Sequence, residues 1–200
     1  MKLYYAPGAC SMAPHIVACE AGLTLELERV DIPNKKTASG ADFWAINPKG
    51  YVPALDTGKG VLTEVAVLCQ YLADQNPAAG LAPAAGSFER YQLQEALNFA
   101  ATEMHKQIGA LFNPAMTPEM KVVQGNVVAR RLKALERLLD GKQYIMGEKF
   151  TAPDAYLYTV LRWTKPHKID LAEFPNVQAY MARVAARPKV QEALQSEGLL

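Results

Sequence analysis

Hydrophobic positions come in short alternating runs along the first part of the chain and recur at helical spacing along the rest. KLYYA (2–6) reads as a short strand, residues 11–21 as a helix stopped by Gly22, and LELERV (25–30) as a second strand with alternating apolar and polar positions. Two strands joined by a helix predict a parallel βαβ unit, because parallel strands need a crossover connection. The next stretch, DIPNKKTASGADFWAINPKGYVP (31–53), carries too many turn formers for regular structure beyond a short helix near 41–46. ALDTGKGVLT (54–63) predicts two short strands around a glycine-containing turn. EVAVLCQYLADQN (64–76) predicts an amphipathic helix with Val65, Leu68 and Leu72 on one side. The order is βαβ followed by ββα.

NPAAGLAPAAGS (76–87) contains Pro, Ala and Gly and no charge, the composition of a linker. Beyond it the alternation stops, and helical patterns cover 87–112, 118–140, 153–166, 176–186 and 189–195. In the first of these, Leu93, Leu97, Ala100, Met104, Ile108 and Leu111 form a core stripe, with Asn98, Thr102, His105, Gly109 and Phe112 on a neighbouring one. The pattern predicts an α/β domain over residues 1–77, a linker over 78–87 and an all-helical domain over 88–200. Within the last, Thr151 and Asp154 have the spacing of an N-cap and its N3 partner, with Pro153 in the first turn, so FTAPDAYL marks a helix start with a structural role.

Charge narrows the partners. Lys and Arg number 21 against 20 Asp and Glu, a net charge of +1, so no broad field is available to gather nucleic acid or an anionic membrane. No segment approaches the ~20 apolar residues of a spanning helix, and the N-terminal run, broken by Pro7, lacks the form of a secretory signal. A soluble, cytoplasmic protein is expected. The three cysteines, Cys10, Cys19 and Cys69, form an odd set without metal-ligand spacing, which argues against a disulfide framework or a metal site.

Cys10 stands where the first strand turns into the first helix. Unpaired N–H groups and the helix dipole favour a thiolate there, so its pKa is expected to fall below the usual ~8.5. The run Cys10-Ser11-Met12-Ala13 has no second thiol, so an internal disulfide cannot close; mixed-disulfide formation, nucleophilic attack or assistance to another thiol remain. Cys19 and Cys69, in mid-helix, are expected to pack. Val52-Pro53 precedes a predicted strand, a position that suits a cis bond leaving the Val52 backbone open to a ligand.

Together these parts resemble the cytosolic glutathione transferases, and MKLYYAPGACSMAPHI, NPKGYVPAL, TEMHK (102–106) and FTAPDAYLYTVLRW (150–163) are similar to the bacterial beta class. The resemblance covers essentially the whole chain and implies a thioredoxin-like first domain. It further implies that glutathione is a co-substrate, with Cys10, Ser11 and His105 near its sulfur and no metal. Lys35 would meet the glycyl carboxylate, the Val52 backbone and cis-Pro53 the cysteinyl part, and Glu64 the γ-glutamyl amine. Val65 stands where a serine is common in the superfamily, leaving only its N–H to a carboxylate. Asn98, Thr102, Glu103 and His105 match positions around glutathione, some reaching across a homodimer. Leu111, Phe112, Trp163 and His167 would wall the site of a small hydrophobic electrophile. A glutathione-dependent thiol-disulfide oxidoreductase acting through a Cys10 mixed disulfide, or a non-catalytic ligand-binding relative, are the alternatives.

Overall fold

In a computed structural model that describes residues 1–200, β1 (Lys2–Tyr5) and β2 (Glu26–Asp31) pair in parallel, and α1 (Met12–Glu20) is the crossover between them. β4 (Ala54–Asp56) runs antiparallel to β1, and β5 (Val61–Thr63) antiparallel to β4. Residues 31–53 are more regular than their turn formers suggest. A two-residue strand, β3 (Lys36–Thr37), pairs with Val30 and Asp31 and completes a sheet of order β3-β2-β1-β4-β5. Two residues carry no readable period, so this pairing is set by the neighbouring strand. α2 (Phe43–Ile46) follows, its start capped by the Asp42 carboxylate accepting from the Trp44 N–H at 3.0 Å. α3 (Val65–Gln75) closes the unit.

The connecting segment is fastened at several points. Leu81 is buried and its carbonyl accepts from the Ala152 N–H at 2.9 Å. The Arg90 guanidinium grips Asp74 and donates to the Pro83 carbonyl, at 2.8 Å, across the junction.

The predicted helix 87–112 is interrupted. α4 (Phe88–Phe99) passes through a π-helical turn (Ala100–His105) into α5 (Lys106–Ala110). Single π turns occur inside α-helices, frequently at functional sites, and the buried stripe of Ala100, Met104 and Ile108 continues through this one. α6 (Pro118–Leu138), α7 (Ala152–Leu161), α8 (Pro175–Ala185) and α9 (Pro188–Ser196) complete the helical part. α7 stops short of the expected boundary at 166 and gives way to a 3-10 turn, Arg162–Thr164.

All ten residues of α7 are buried. α1 and α3 pack on it from the sheet side, and the π turn and α8 from the helical side, so a single core of buried residues spans both parts of the chain. A helix buried on every side must satisfy its first N–H groups without water. Here the Asp154 carboxylate takes the Thr151 N–H (2.8 Å), the Thr151 hydroxyl (3.0 Å), the Ile145 N–H (2.9 Å) and the Tyr180 hydroxyl (3.0 Å). The N-cap and N3 pair expected at Thr151 and Asp154 is thus the inner half of a larger junction.

Asp154→Ala would strand buried donors, each costing about 1–3 kcal/mol, so a loss of at least about 3 kcal/mol is expected in urea unfolding. Burial pushes the Asp154 carboxyl up to about 6, against ~3.9 for the unfolded chain, so the folded state holds that proton more tightly. The stability it contributes is full below pH ~4 and is lost as pH rises through 6. Urea midpoints of wild type and Asp154→Asn, which cannot titrate, should therefore converge or cross between pH 4 and 6; a constant offset would refute the assignment.

Candidate active site

The turn that carries Cys10 is built from its own backbone. The Ala9 N–H donates to the Ala6 carbonyl and the Met12 N–H to the Ala9 carbonyl, each at 3.0 Å. Ser11 sits at the helix entry with its hydroxyl fully committed, accepting from the Ala6 N–H (3.1 Å) and donating to the Ala6 carbonyl (3.2 Å). It is buried and serves the turn. The Cys10 thiol donates to the Val52 carbonyl at 3.4 Å, next to the cis Val52–Pro53 bond.

The helical part grips this turn from outside. The Gly8 N–H donates to one oxygen of Glu197 at 3.0 Å, and the Gly8 carbonyl accepts from the Trp163 indole at 2.9 Å. The other Glu197 oxygen meets His15 of α1 at 3.0 Å, inside the protein. Gly8, two residues before Cys10, is held at both its N–H and its carbonyl.

A second wall comes from the loops. The Lys35 ammonium donates to the Gly50 carbonyl at 2.7 Å and lies 5.5 and 5.3 Å from the ring centres of Trp44 and Tyr51. Gly50 has φ of +67°, a backbone state that favours glycine, and a Cβ there would lie 2.5 Å from the half-exposed Trp44 ring, which would have to shift. The Lys49 ammonium bridges Glu64, at 2.5 Å, and the Thr63 hydroxyl, at 2.8 Å. Glu64 itself has φ of +73°, an unusual and costly backbone state for a side chain of this size, of the kind that clusters at functional sites.

The third component is His105, at the end of the π turn. Its Nδ1 lies 2.7 Å from the Tyr156 hydroxyl of α7, which is buried and has no other hydrogen-bond partner. A buried O–H needs an acceptor, so Tyr156 donates to Nδ1 and the imidazole carries its proton on Nε2. The ring packs edge-on against Trp163, centroids 5.0 Å apart, and Trp163 in turn meets Phe112 at 5.5 Å. Gly109 lies beside both rings, where a Cβ would stand in ordinary contact with His105 and Trp163 at 3.4 and 3.5 Å. Trp163 thus joins His105 to the Cys10 turn. His167 meets Phe112 edge-on, centroids 4.3 Å apart.

Residues 1–74 match the family model of the glutathione S-transferase N-terminal domain, and residues 99–188 that of the C-terminal domain. Glutathione S-transferase GstA of Escherichia coli O157:H7 is 43% identical over 200 residues, covering 100% of both chains. The chain belongs to the glutathione S-transferase family. Among solved structures, a sphingomonad glutathione S-transferase complexed with glutathione matches with a TM-score of 0.96 at 45% identity over 100% of both chains. The bacterial beta-class enzyme of Sphingomonas chungbukensis matches with 0.96 at 42%, again over 100% of both. The chain is accordingly a transferase with glutathione as its co-substrate, and its likeness is to the beta class.

Against that background the electrostatics of the site run opposite to the expectation for Cys10. Burial pushes its thiol up to about 12, outweighing the Cys10 and Ser11 N–H groups that favour the thiolate. His105 is likewise kept uncharged, because burial, with Lys106 nearby, lowers its pKa to about 4. The two groups are neutral donors at pH 7.

Of the residues singled out in the sequence, the fold gathers Cys10, Val52 and Pro53 in one place and His105, Phe112, Trp163 and His167 in another that Trp163 links to it. Leu111 is almost wholly in the core, whereas Phe112 is 52% exposed. Lys35, Glu64 and Val65 line the loop wall, Val65 with its side chain buried. Asn98 and Thr102 are exposed on the helix, linked by the Thr102 hydroxyl donating to the Asn98 carbonyl at 3.0 Å. Glu103 is paired with Arg131 of α6 at 2.6 Å. No group of three or more His, Cys, Asp or Glu side chains is placed to hold a metal, and no helix is long and apolar enough to cross a membrane. Lys49, Tyr156 and Glu197 escaped the sequence reading. The first could have been suspected from NPKGY beside the Val-Pro; the other two act only through the fold.

NMR of 15N-labelled imidazoles tests the His105 assignment. The ring should show the Nε2–H tautomer and no titration between pH 5.5 and 8, and Tyr156→Phe should abolish the tautomer preference. A His105 signal titrating near 6.5 in the wild type would overturn it.

Proposed function

We propose that the chain lays reduced glutathione along the Val52 backbone and conjugates its sulfur to small hydrophobic electrophiles, with Cys10 and His105 as the hydrogen-bond donors that hold the sulfur as a thiolate. When an N–H of the bound tripeptide takes the Val52 carbonyl, the Cys10 S–H is released from it and turns to the ligand's sulfur. His105 presents its Nε2–H to the same sulfur, fixed in that tautomer by Tyr156. Each donor to an anion is worth about 1.5–3 kcal/mol, which at 1.36 kcal/mol per unit lowers the glutathione thiol's pKa by about one to two units. The thiol proton leaves to water. The sulfur lone pair then forms the S–C bond while the leaving group departs with the electrons of its own bond to carbon.

The rest of the ligand finds matching charges. Lys35 meets the glycyl carboxylate, and Glu64 the γ-glutamyl amine. The Val65 N–H at the start of α3 suits the adjacent carboxylate, and Lys49 sets the Glu64 side chain. Cis-Pro53 lies under the cysteinyl part. Phe112, Trp163 and His167 wall the electrophile, with Leu111 as backing. Asn98, Thr102 and Glu103 lie outside the Cys10 groove, which supports a role for them toward the ligand of a partner subunit in a homodimer. A cytoplasmic location suits a reduced thiol co-substrate.

The observation that carries conjugation over disulfide exchange is the part-buried Cys10 S–H donating to the Val52 carbonyl. A thiol held protonated is a poor attacking group for a disulfide but a serviceable donor.

The test is the pH profile of conjugation with an aryl halide. In Cys10→Ala the acidic limb should move up by about one unit or more, with the rate recovering at high pH; loss of conjugation at every pH would sink the donor role. Light scattering should return twice the protomer mass, and a monomer would remove the cross-subunit part of the proposal.

A further inference from the structure

We propose that His167 sets the substrate preference of the electrophile site. It does so by hydrogen-bonding an acceptor oxygen, that of a nitro or carbonyl group, at the end of an aromatic electrophile remote from its reacting carbon. The inference rests on the conjugation reading and adds a class of substrate to it.

His167 is half-buried, but its Nε2 is wholly buried and has no hydrogen-bond partner in the chain. Buried polar atoms are normally satisfied. The other ring nitrogens nearby obey that rule, His105 through Tyr156 and Trp163 through the Gly8 carbonyl. The backbone that carries His167 is fixed. It follows the 3-10 turn Arg162–Thr164 and is closed by the Lys168 N–H donating to the Lys165 carbonyl at 3.1 Å and the Ile169 N–H to the Thr164 carbonyl at 3.0 Å. Lys168, the next residue, has φ of +54°, a costly state for a residue with a side chain and one that clusters at ligand sites.

The position suits an elongated ligand. His105, Trp163, Phe112 and His167 form a row of rings, each edge-on to the next, with centroids 5.0, 5.5 and 4.3 Å apart. One imidazole thus stands at the sulfur end of the row and the other at its far end. An aromatic body lying along Trp163 and Phe112, with its reacting carbon at the sulfur, brings its opposite substituent to His167. Phe112, the ring packed on His167, is 52% exposed, so a single side chain on an open face has to move for a ligand to reach Nε2. Burial, with Lys121 nearby, lowers the His167 pKa and keeps the imidazole uncharged at pH 7. Its one proton can stand on Nε2 as a donor, and the Lys121 cation favours an electron-rich group beside it. An apolar wall discriminates weakly, whereas a buried polar atom that only one substrate pairs discriminates strongly.

Calorimetric binding of S-(4-nitrobenzyl)glutathione and of its apolar counterpart S-(4-methylbenzyl)glutathione tests this, with kcat/KM for the two parent benzyl chlorides as the second readout. In His167→Phe, which keeps a ring and removes both nitrogens, the nitro-to-methyl ratio of affinities and that of kcat/KM should each fall at least tenfold from wild type. His167→Gln, which retains an N–H donor, should recover most of the ratio. An unchanged ratio in His167→Phe, whether both ligands are kept or weakened alike, would overturn the proposal. So would a ratio in His167→Gln as low as in His167→Phe. Binding of both conjugates without turnover of either chloride would remove the conjugation reading, while the affinity ratio would still decide the role of His167. Binding of neither conjugate by the wild type would refute both.

Discussion

A helix buried on all sides is possible only if its opening turn is satisfied from within, and the Asp154 carboxylate and the Leu81 carbonyl do this for α7. The arrangement places one anionic or protonated oxygen pair among two backbone N–H groups and two hydroxyls, at the meeting of Ile145, Thr151 and Tyr180. Everything else leans on α7. The sheet domain reaches it through α1 and α3, and the helical domain through the π turn and α8. Tyr156, in the middle of α7, then sets the tautomer of His105, and the 3-10 turn at its end carries Trp163 to the Cys10 turn. A local rule about helix ends in this way becomes the frame of a site formed between two parts of the chain.

Cys10 and His105 offer neutral donors in a poorly hydrated setting. An imidazolium or a thiolate there would be poorly solvated, Glu64 and Lys106 offset this only in part, and burial drives both groups to their uncharged forms. Charge is reserved for the rim, where Lys35, Lys49 and Glu64 remain partly or well exposed. This division suits a ligand with charged ends and a central sulfur, since the ends can be recognised in water and the sulfur stabilised out of it.

Much of this was legible in the chain. The change of hydrophobic period near residue 87, the strand-to-helix position of Cys10 and the Thr151 and Asp154 spacing each follow from local rules, and the fold matches them. What failed was non-local. β3 exists because Val30 and Asp31 offer it an edge. The π turn leaves the 3.6-residue pattern nearly undisturbed, since both kinds of turn bury the same stripe. The thiol's pKa was read from the helix end alone, which favours the anion, while the burial that reverses the sign comes from packing of distant segments. Ser11 was expected near the glutathione sulfur from its place beside Cys10; the fold adds that its hydroxyl is bonded to the Ala6 N–H and carbonyl, five residues earlier.

The grip of Glu197 on Gly8 joins residues 189 positions apart. During synthesis the Cys10 turn leaves the ribosome early, but the carboxylate that fixes its N–H is made only after nearly all of the helical part. The first domain can therefore acquire its sheet while its Cys10 turn stays unfastened, and the nascent chain presents a cysteine before it presents a site. The last fastening of that turn comes from the residue that follows the last helix.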